Sequence, residues 1–254
     1  MPTPAPRALD KALTLLNLIV ADRGARSVSA LAADAGLPPA TAHRMVAAFA
    51  RRGFLTSAAR GRYLAGPALI GLQQHADLNA VLAATGRPLL AALAKETRLT
   101  AHLGVLETDM VTYLVKAGRR GDLFTREGMQ LEAYCSGIGK ALLALLPETA
   151  RERYLAGGPF IALTPNTITD AALLREELAR IAALGHARDD AEVHAQLYCI
   201  AAPVRDSAGA AVAAISLSAW GENGACADPS PHLPALQATA RTLEQRLYPQ
   251  RASA

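Results

Sequence analysis

Short amphipathic helices separated by breaks are predicted at the start of the chain. In residues 7–21 the apolar side chains recur at the spacing of one helix face. A second helix is predicted over 28–35, with Ser27 as its N-cap and Gly36 as its stop. A third is predicted from Pro39 to about residue 52, because proline is tolerated in the first turn of a helix and a glycine follows the last.

Two short strands are predicted next, over 54–56 and 61–64, around the tip 57–60. The order helix, helix, turn, helix, hairpin is typical of a winged helix-turn-helix. Ala32 is small enough for a close crossing of the second and third helices, and Gly36, four residues later, permits the sharp turn between them. We therefore predict a winged helix-turn-helix domain over residues 1–67.

The rest of the chain mixes helices and strands without regular alternation. Residues 77–95 read as a helix with a bend or break at 86–88, and a linker helix is predicted over 68–79. The order favours an antiparallel α+β sensor domain over 80–254 rather than a doubly wound fold. The further elements are strands over 101–106, 110–115, 123–125, 185–189, 198–204 and 211–218, and helices over 136–146, 170–184 and 233–247.

Composition excludes several classes of protein. The 254 residues are 51% hydrophobic and 19% charged, which is neither disordered nor collagen-like. No apolar run reaches the length of a membrane span, and the first residues lack the pattern of a secretory signal. Three widely spaced cysteines do not form a disulfide framework. We expect a cytoplasmic protein without membrane contact.

Positive charge is concentrated at the start of the chain. Residues 1–75 hold nine basic and three acidic side chains, whereas the remainder holds 17 and 19. This asymmetry indicates a polyanion partner, although chance asymmetry and a protein-binding winged helix are the alternatives. A recognition helix meets bases and phosphates near its N-terminal end, and the wing supports it. The predicted DNA contacts are Pro39, Ala40, Thr41, His43, Arg44, Arg51, Arg52, Arg60 and Arg62.

A glycine-rich segment, 135–141, lies at a predicted helix start. It fails the pattern of a phosphate loop, which would need glycine at Tyr134 and serine or threonine at Ala141. We expect the backbone N–H groups of Ser136 to Gly139 to be exposed at a helix N-terminus, where they could still form an anion site suited to a carboxylate. A tight-packing turn explains the glycines equally well.

Polar side chains also interrupt the predicted apolar strands. Ser216 and Ser218 are two residues apart and share one face of their strand. With Cys199 on the neighbouring strand they could line a polar pocket, and Asp189 could reach its mouth. As a surface acid, Asp189 would need no such role.

Enzymatic and metal-binding alternatives find little support. Cys199 or Ser136 as a nucleophile lacks a recognisable base, and no G-x-S-x-G elbow occurs. Cys135, Cys199 and Cys226 lack the spacing of metal ligands. We predict no enzyme, no metal and no cofactor.

These motifs together resemble the IclR family of bacterial transcription regulators over nearly the whole chain. The matching segments are RALDKAL (7–13), LAADAGL (31–37), TAHR (41–44), RGFL (52–55), YL (63–64), SGIGKALLA (136–144), GHARDDAE (185–192), CIAAPV (199–204) and AISLS (214–218). The sequence departs from the family's usual pattern at Pro39, Ala40 and Ala42, which leaves the operator sequence open.

The resemblance implies a winged helix, a linker helix and a GAF-like effector-binding domain. It also implies binding to promoter DNA, dimers that assemble into tetramers, and control by a small carboxylic acid, aromatic acids included. Regulators of aromatic-acid catabolism are the nearest in the segment 124–132. The effector residues carried over from the resemblance are Ser136, Gly137, Ile138, Asp189, Cys199, Ser216 and Ser218.

Overall fold

The computed structural model describes residues 7–118, 123–221 and 228–249. The chain divides between Asp77 and Leu78 into two compact units. Within the described ranges, no helix is both long and apolar enough to cross a membrane.

The first unit is a winged helix-turn-helix, as predicted. Three helices enclose a small core that includes Leu15, Ile19, Leu31 and Val46, and β1 and β2 form the antiparallel wing. Its elements are α1 (Arg7–Asp22), α2 (Val28–Asp34), α3 (Pro39–Arg51), β1 (Leu55–Ala59), β2 (Arg62–Ala65) and α4 (Pro67–Gln73).

Local chemistry sets the helix-turn-helix geometry. The Ser27 hydroxyl accepts a hydrogen bond from the amide of Ala30 (3.4 Å), which confirms the predicted N-cap of α2. Gly36 has φ +59°, and a Cβ there would meet nothing within 4 Å. Glycine is therefore needed for its left-handed backbone rather than for space. Ala32 is fully buried at the crossing.

The stretch predicted as one linker helix, 68–79, contains a break. The amides of Gln74, His75 and Ala76 donate to carbonyls three residues earlier, which tightens the last turn of α4 and ends it. The next helix begins at Leu78.

The second unit is a three-layer α/β/α arrangement around one antiparallel sheet. The strand order is β5-β4-β3-β8-β7-β6. Helices α5 and α9 cover one face, while α6 covers the other, with α7 and α8 packed outside it. The elements are α5 (Leu78–Thr97), β3 (Thr100–Glu107), β4 (Met110–Ala117), β5 (Gln130–Glu132), α6 (Gly137–Leu143), α7 (Glu148–Ala156), α8 (Ala171–Leu184), β6 (Ala187–Asp190), β7 (Leu197–Arg205), β8 (Ala211–Trp220), a 3-10 turn (Ser230–His232) and α9 (Leu233–Leu247).

Three features of this unit differ from the sequence expectations. The strand predicted at 123–125 is wrong: the Lys116 ammonium, not a strand, holds the carbonyls of Leu123 and Thr125 (2.8 and 2.7 Å). The outer strand is β5 instead. Helix α5 continues through Pro88, and α7, which buries only Tyr154 and Leu155, was not predicted.

Candidate functional site

Helix α3 presents one polar, exposed face. Ala42 and Val46 are buried, whereas Ala40, His43 and Arg44 are exposed and Thr41 is half-buried. This alternation follows the helical period, so the predicted recognition residues face outward from the core. The remaining predicted contacts are exposed as well: Pro39, Arg51, Arg52, Arg60 and Arg62.

The arginines of the first unit are not equally available to bind a polyanion. Arg26 is held by Asp22 and Asp34, each at 2.8 Å. By contrast, no salt bridge within the described residues engages the five arginines predicted to contact DNA: Arg44, Arg51, Arg52, Arg60 and Arg62. These guanidinium groups are therefore free to meet phosphates.

Three of the predicted pocket residues of the second unit, Asp189, Cys199 and Ser218, lie in one register row across the sheet. In this polar row, Asp189 on β6 pairs with Cys199 on β7, which pairs with Ser218 on β8, which pairs with Thr100 on β3. Ser216 lies two residues from Ser218, so it shares the same face. The structure thus brings together residues that are far apart in the sequence.

Hydrogen bonds extend the polar row to side chains that sequence reasoning missed. Cys199 Sγ lies 3.2 Å from Ser218 Oγ. Ser218 Oγ lies 3.5 Å from His102 Nδ1, and His102 Nε2 lies 2.8 Å from Thr125 Oγ1. His102 pairs in register with Ser216. No sequence pattern predicts that His102 lies near Ser218, because the two residues become neighbours only when β3 pairs with β8.

Helix α6 lies directly over the polar row. A Cβ on Gly137 would lie 3.5 Å from the Cβ of Cys199 and 3.9 Å from that of Asp189. A Cβ on Gly139 would lie 2.2 Å from the carbonyl oxygen of Ala133, so that position requires glycine. The second contact explains the glycine at 139, whereas a Cβ at Gly137 would make only ordinary van der Waals contacts with the sheet.

The start of α6 is buried rather than exposed, contrary to the sequence expectation. The Ser136 hydroxyl accepts the amide of Gly139 (3.1 Å), so both groups serve as a helix cap. Within the described residues, nothing accepts a hydrogen bond from the amides of Gly137 and Ile138. Buried amides are rarely left in this state.

Asp189 is a buried acid at one end of the row. Asp189 is only 1% exposed, and its Oδ1 accepts a hydrogen bond from the amide of Glu192 (2.7 Å). Burial raises the pKa of Asp189 to about 7, although the hydrogen bond from Glu192 lowers it. Asp189 can therefore gain or lose a proton near neutral pH.

A buried ion pair supports this end of the site. Lys140 of α6 contacts Glu192, and Glu177 of α8 lies 3.7 Å from the same ammonium. The second carboxylate oxygen of Glu192 is buried without a hydrogen-bond partner in the described structure. Burial raises the pKa of Glu192, and Lys140 opposes that rise. No sequence pattern predicts this ion pair, since Lys140 lies in the segment 135–141 that fails the phosphate-loop pattern.

Apolar and aromatic side chains lie beside the row. Leu123, Leu197 and Cys199 form one buried cluster, with Val193 and Trp220 packed against it. The His194 ring lies 4.7 Å from the Trp220 ring. One wall of the site therefore suits an apolar or aromatic group.

The cysteines and serines are poorly placed for nucleophilic chemistry. Burial raises the pKa of Cys135 to about 12 and that of Cys199 well above its ordinary value, so both thiols stay protonated at neutral pH. The Ser136 hydroxyl is occupied as a cap. Cys226 lies outside the described residues. Among those described, no cluster of three His, Cys, Asp or Glu side chains could hold a metal ion.

A separate cavity of about 590 Å³ lies between α5 and β4. Arg87 and Lys116 line it, but Arg87 already binds Glu127 in two hydrogen bonds (2.6 and 3.0 Å) and Lys116 holds backbone carbonyls. None of the predicted effector residues borders it. We therefore place the candidate ligand site at the polar row.

Comparisons with known proteins agree across both units. Residues 8–58 match the model of the IclR helix-turn-helix domain, and residues 74–245 match that of the C-terminal domain of bacterial IclR regulators.

Curated relatives are named as transcriptional regulators. RhmR of Escherichia coli K12 is 34% identical over 212 residues, covering 83% of this chain and 81% of that protein. BhcR of Paracoccus denitrificans is 36% identical over 215 residues, covering 84% and 77%.

Solved structures share the fold. An IclR homologue from Microbacterium hydrocarbonoxydans, complexed with 4-hydroxybenzoate, is 27% identical with a TM-score of 0.61, covering 94% of this chain and 98% of that one. Thermotoga maritima IclR is 27% identical with a TM-score of 0.60, covering 94% and 98%.

Proposed function

The chain belongs to the IclR family of bacterial transcriptional regulators, and from this premise we propose how it is controlled. A small carboxylic acid, aromatic acids included, binds at the polar row of the second unit. Its binding changes the affinity of the winged helix-turn-helix for promoter DNA. We further propose that the protein works in the cytoplasm as a homodimer or as a tetramer of two dimers.

The polar row beneath α6 is the observation that carries this proposal. Asp189, Cys199, Ser218 and Ser216 share one buried face of the sheet. Burying polar groups costs free energy unless they are hydrogen-bonded. A ligand with polar atoms would find hydrogen-bonding groups on this face.

A carboxylate suits the donors at this site. The amides of Gly137 and Ile138 lie at the start of α6, where an anion would be stabilised, and the serine hydroxyls can donate from the sheet below. Asp189 can bind a carboxylate when it is protonated, and its raised pKa makes that form accessible near neutral pH. One structural relative is named as a complex with 4-hydroxybenzoate, which is itself an aromatic carboxylate.

The two sites communicate through a change in the spacing of two winged helices within a dimer. The coupling free energy of such systems is about 1–3 kcal/mol, a change of roughly 5–150-fold in DNA affinity. The same factor applies to the affinity for the acid when DNA is bound.

Two sets of variants separate the functions. Binding to upstream DNA is measured with and without a panel of aromatic and short aliphatic carboxylates. Ser216→Ala combined with Ser218→Ala is expected to abolish the acid response and keep DNA binding. Arg44→Ala is expected to weaken DNA binding and keep acid binding. The control Arg175→Ala removes an exposed arginine of the second unit that pairs with Glu152.

The results discriminate between candidate functions. An intact acid response in the double serine variant would remove the polar row from the effector site. The absence of salt-dependent binding to DNA would favour a protein-binding winged helix, because phosphate contacts release counterions and weaken as salt rises.

A further inference from the structure

The cavity between α5 and β4 is a large pocket that the polar row does not explain. Its volume is about 590 Å³, within the range of about 300–1,000 Å³ that is usual for small-molecule sites. An apolar cavity of about 150 Å³ is already large enough to hold a benzene ring. A molecule larger than one ring therefore fits in this α5–β4 cavity, which shares no lining residue with the polar row.

Small side chains on the helix and on the strand leave this space open. Ala91 and Ala94 both line the cavity, and their spacing of three residues places them on one face of α5. On the strand side, β4 ends at Ala117 and Gly118 follows it. A Cβ on Gly118 would lie 3.0 Å from Thr100 Oγ1, and the backbone there has φ +145°, so a larger residue is disfavoured. The alanines give the cavity an apolar surface.

Four cationic side chains line the same cavity, and two of them are engaged by the protein itself. Arg87 donates two hydrogen bonds to the carboxylate of Glu127 (2.6 and 3.0 Å). The ammonium of Lys116 donates to the carbonyls of Leu123 and Thr125 (2.8 and 2.7 Å). These contacts hold both side chains in the wall of the cavity.

The other two cations, Lys95 and Arg98, are available to a ligand. Both are exposed, and no salt bridge among the described parts of the chain engages either of them. They lie at the C-terminal end of α5, where cations also stabilise the helix dipole. The carbonyl of Leu93 accepts the hydroxyl of Thr97 there, at 2.9 Å. The carbonyl of Ala94 accepts the amide of Arg98, also at 2.9 Å, so neither carbonyl needs a cationic side chain.

The charge and the apolar surface together indicate the chemistry of the ligand. A phosphate monoester carries a charge of about −1.5 to −2 at pH 7 and three acceptor oxygens. Arginine and lysine both bind such a group, with strong charge-assisted hydrogen bonds. Two available cations match a dianion, whereas a monoanion would leave one of them without a partner. The alanine-lined space suits an apolar group attached to the phosphate.

We propose that the α5–β4 cavity is a second small-molecule site of this protein and that it binds an organic phosphate monoester. Lys95 and Arg98 bind the phosphate group, and the surface formed by Ala91, Ala94 and Ala117 contacts the apolar part of the molecule. This site does not require an acid at the polar row, so this proposal and the proposed function can fail independently.

The test compares anions that differ in charge or in their apolar part. Calorimetry on the full-length protein, without DNA and in a phosphate-free buffer at pH 7.5, measures the affinity for each anion. Phenyl phosphate and n-butyl phosphate have both features, phenyl sulfate is a monoanion of the same shape as phenyl phosphate, and inorganic phosphate has no apolar part. We expect the wild-type protein to bind phenyl phosphate about tenfold more tightly than phenyl sulfate, because a hydrogen bond to a charged group contributes free energy of that order.

A double variant tests the two cations. Lys95→Gln combined with Arg98→Gln removes two charges at exposed positions and keeps both side chains polar. It should weaken the binding of both esters at least tenfold and bring the affinities for phenyl phosphate and phenyl sulfate close together. The matched control, Arg241→Gln combined with Arg246→Gln, removes the same charge from exposed positions of α9 that do not line the cavity. It should leave every affinity unchanged.

A third variant tests the apolar surface. Ala91→Leu, at an exposed position of α5, places a larger side chain in the cavity without changing the charge. It should weaken the binding of both esters at least fivefold. Inorganic phosphate, which needs only the cations, should keep its affinity.

Each contrary outcome overturns the proposal. If neither ester binds, or if phenyl sulfate binds as tightly as phenyl phosphate, the cavity is not a site for phosphate monoesters. If the Lys95 and Arg98 double variant binds the esters as tightly as its control, they occupy another part of the protein. If that variant loses affinity only for DNA of unrelated sequence, the two cations belong to a DNA-binding surface. If Ala91→Leu changes the mass measured by light scattering without ligand, the cavity is an interface between copies of the chain.

Discussion

Removing the charge of Lys140 should destabilise the second unit strongly. Lys140 is 1% exposed and contacts Glu192, whose side chain is 6% exposed. In Lys140→Met, the side chain keeps its length and loses its ammonium. Glu192 would then be buried without a cation, in the company of Asp189, which accepts its amide hydrogen bond.

The magnitude follows from the burial of both partners. Breaking a buried ion pair by removing one partner costs about 3–5 kcal/mol. For a unit of this size, each kcal/mol lowers the melting temperature by about 2–4 °C, so we expect a decrease of roughly 6–20 °C. The loss should shrink as pH falls, because burial raises the pKa of Glu192 and protonation removes the charge that has lost its partner.

Thermal unfolding followed by calorimetry checks this prediction. The control Arg175→Ala breaks an exposed pair with Glu152, whose side chains are 48% and 42% exposed, and should change the melting temperature far less. The double variant Lys140→Met with Glu192→Leu should recover much of the loss, because a buried pair can often be replaced by apolar groups. A Lys140→Met shift no larger than that of the control would refute the reasoning.

Further expected outcomes concern α6, the site acid and the recognition helix. Gly139→Ala should lower the free energy of unfolding by about 3 kcal/mol in denaturant titrations, because its Cβ would meet the Ala133 backbone, whereas Gly71→Ala has open space and should be neutral or slightly stabilising. The pKa of Asp189 is raised to about 7 in the folded state, so its contribution to stability is present at low pH and is lost as pH rises from about 4 through 7; Asp189→Asn should remove this slope from the pH profile, and an unchanged profile would contradict the assignment. Arg44→Ala should reduce the slope of log DNA affinity against log salt concentration by about one. An unchanged slope would exclude a phosphate contact at Arg44.

Much of the first unit could be predicted because its signals are local. Ser27 caps α2 through a residue three positions away, and Gly36 adopts its left-handed backbone within the turn itself. The order of helices and the exposed face of α3 follow from the same short-range patterns.

The candidate site could be predicted only in part. Ser216 and Ser218 are close in sequence, and their shared face follows from strand geometry. The positions of His102 and Glu192 depend on partners far along the chain: His102 lies 116 residues from Ser218, and Glu192 lies 52 residues from Lys140. The strand predicted at 123–125 is wrong for a local reason, because the nearby Lys116 side chain takes up the carbonyls of Leu123 and Thr125.

The most direct test of acid-controlled DNA binding is a fluorescence-anisotropy titration of the wild-type protein onto its own upstream DNA. The titration is run at two salt concentrations, with and without aromatic and short aliphatic carboxylates. We predict salt-dependent binding whose affinity changes about 5–150-fold with at least one acid. Salt-dependent binding that no acid alters would contradict effector control, and the absence of binding under all conditions would contradict the proposed regulation at this DNA.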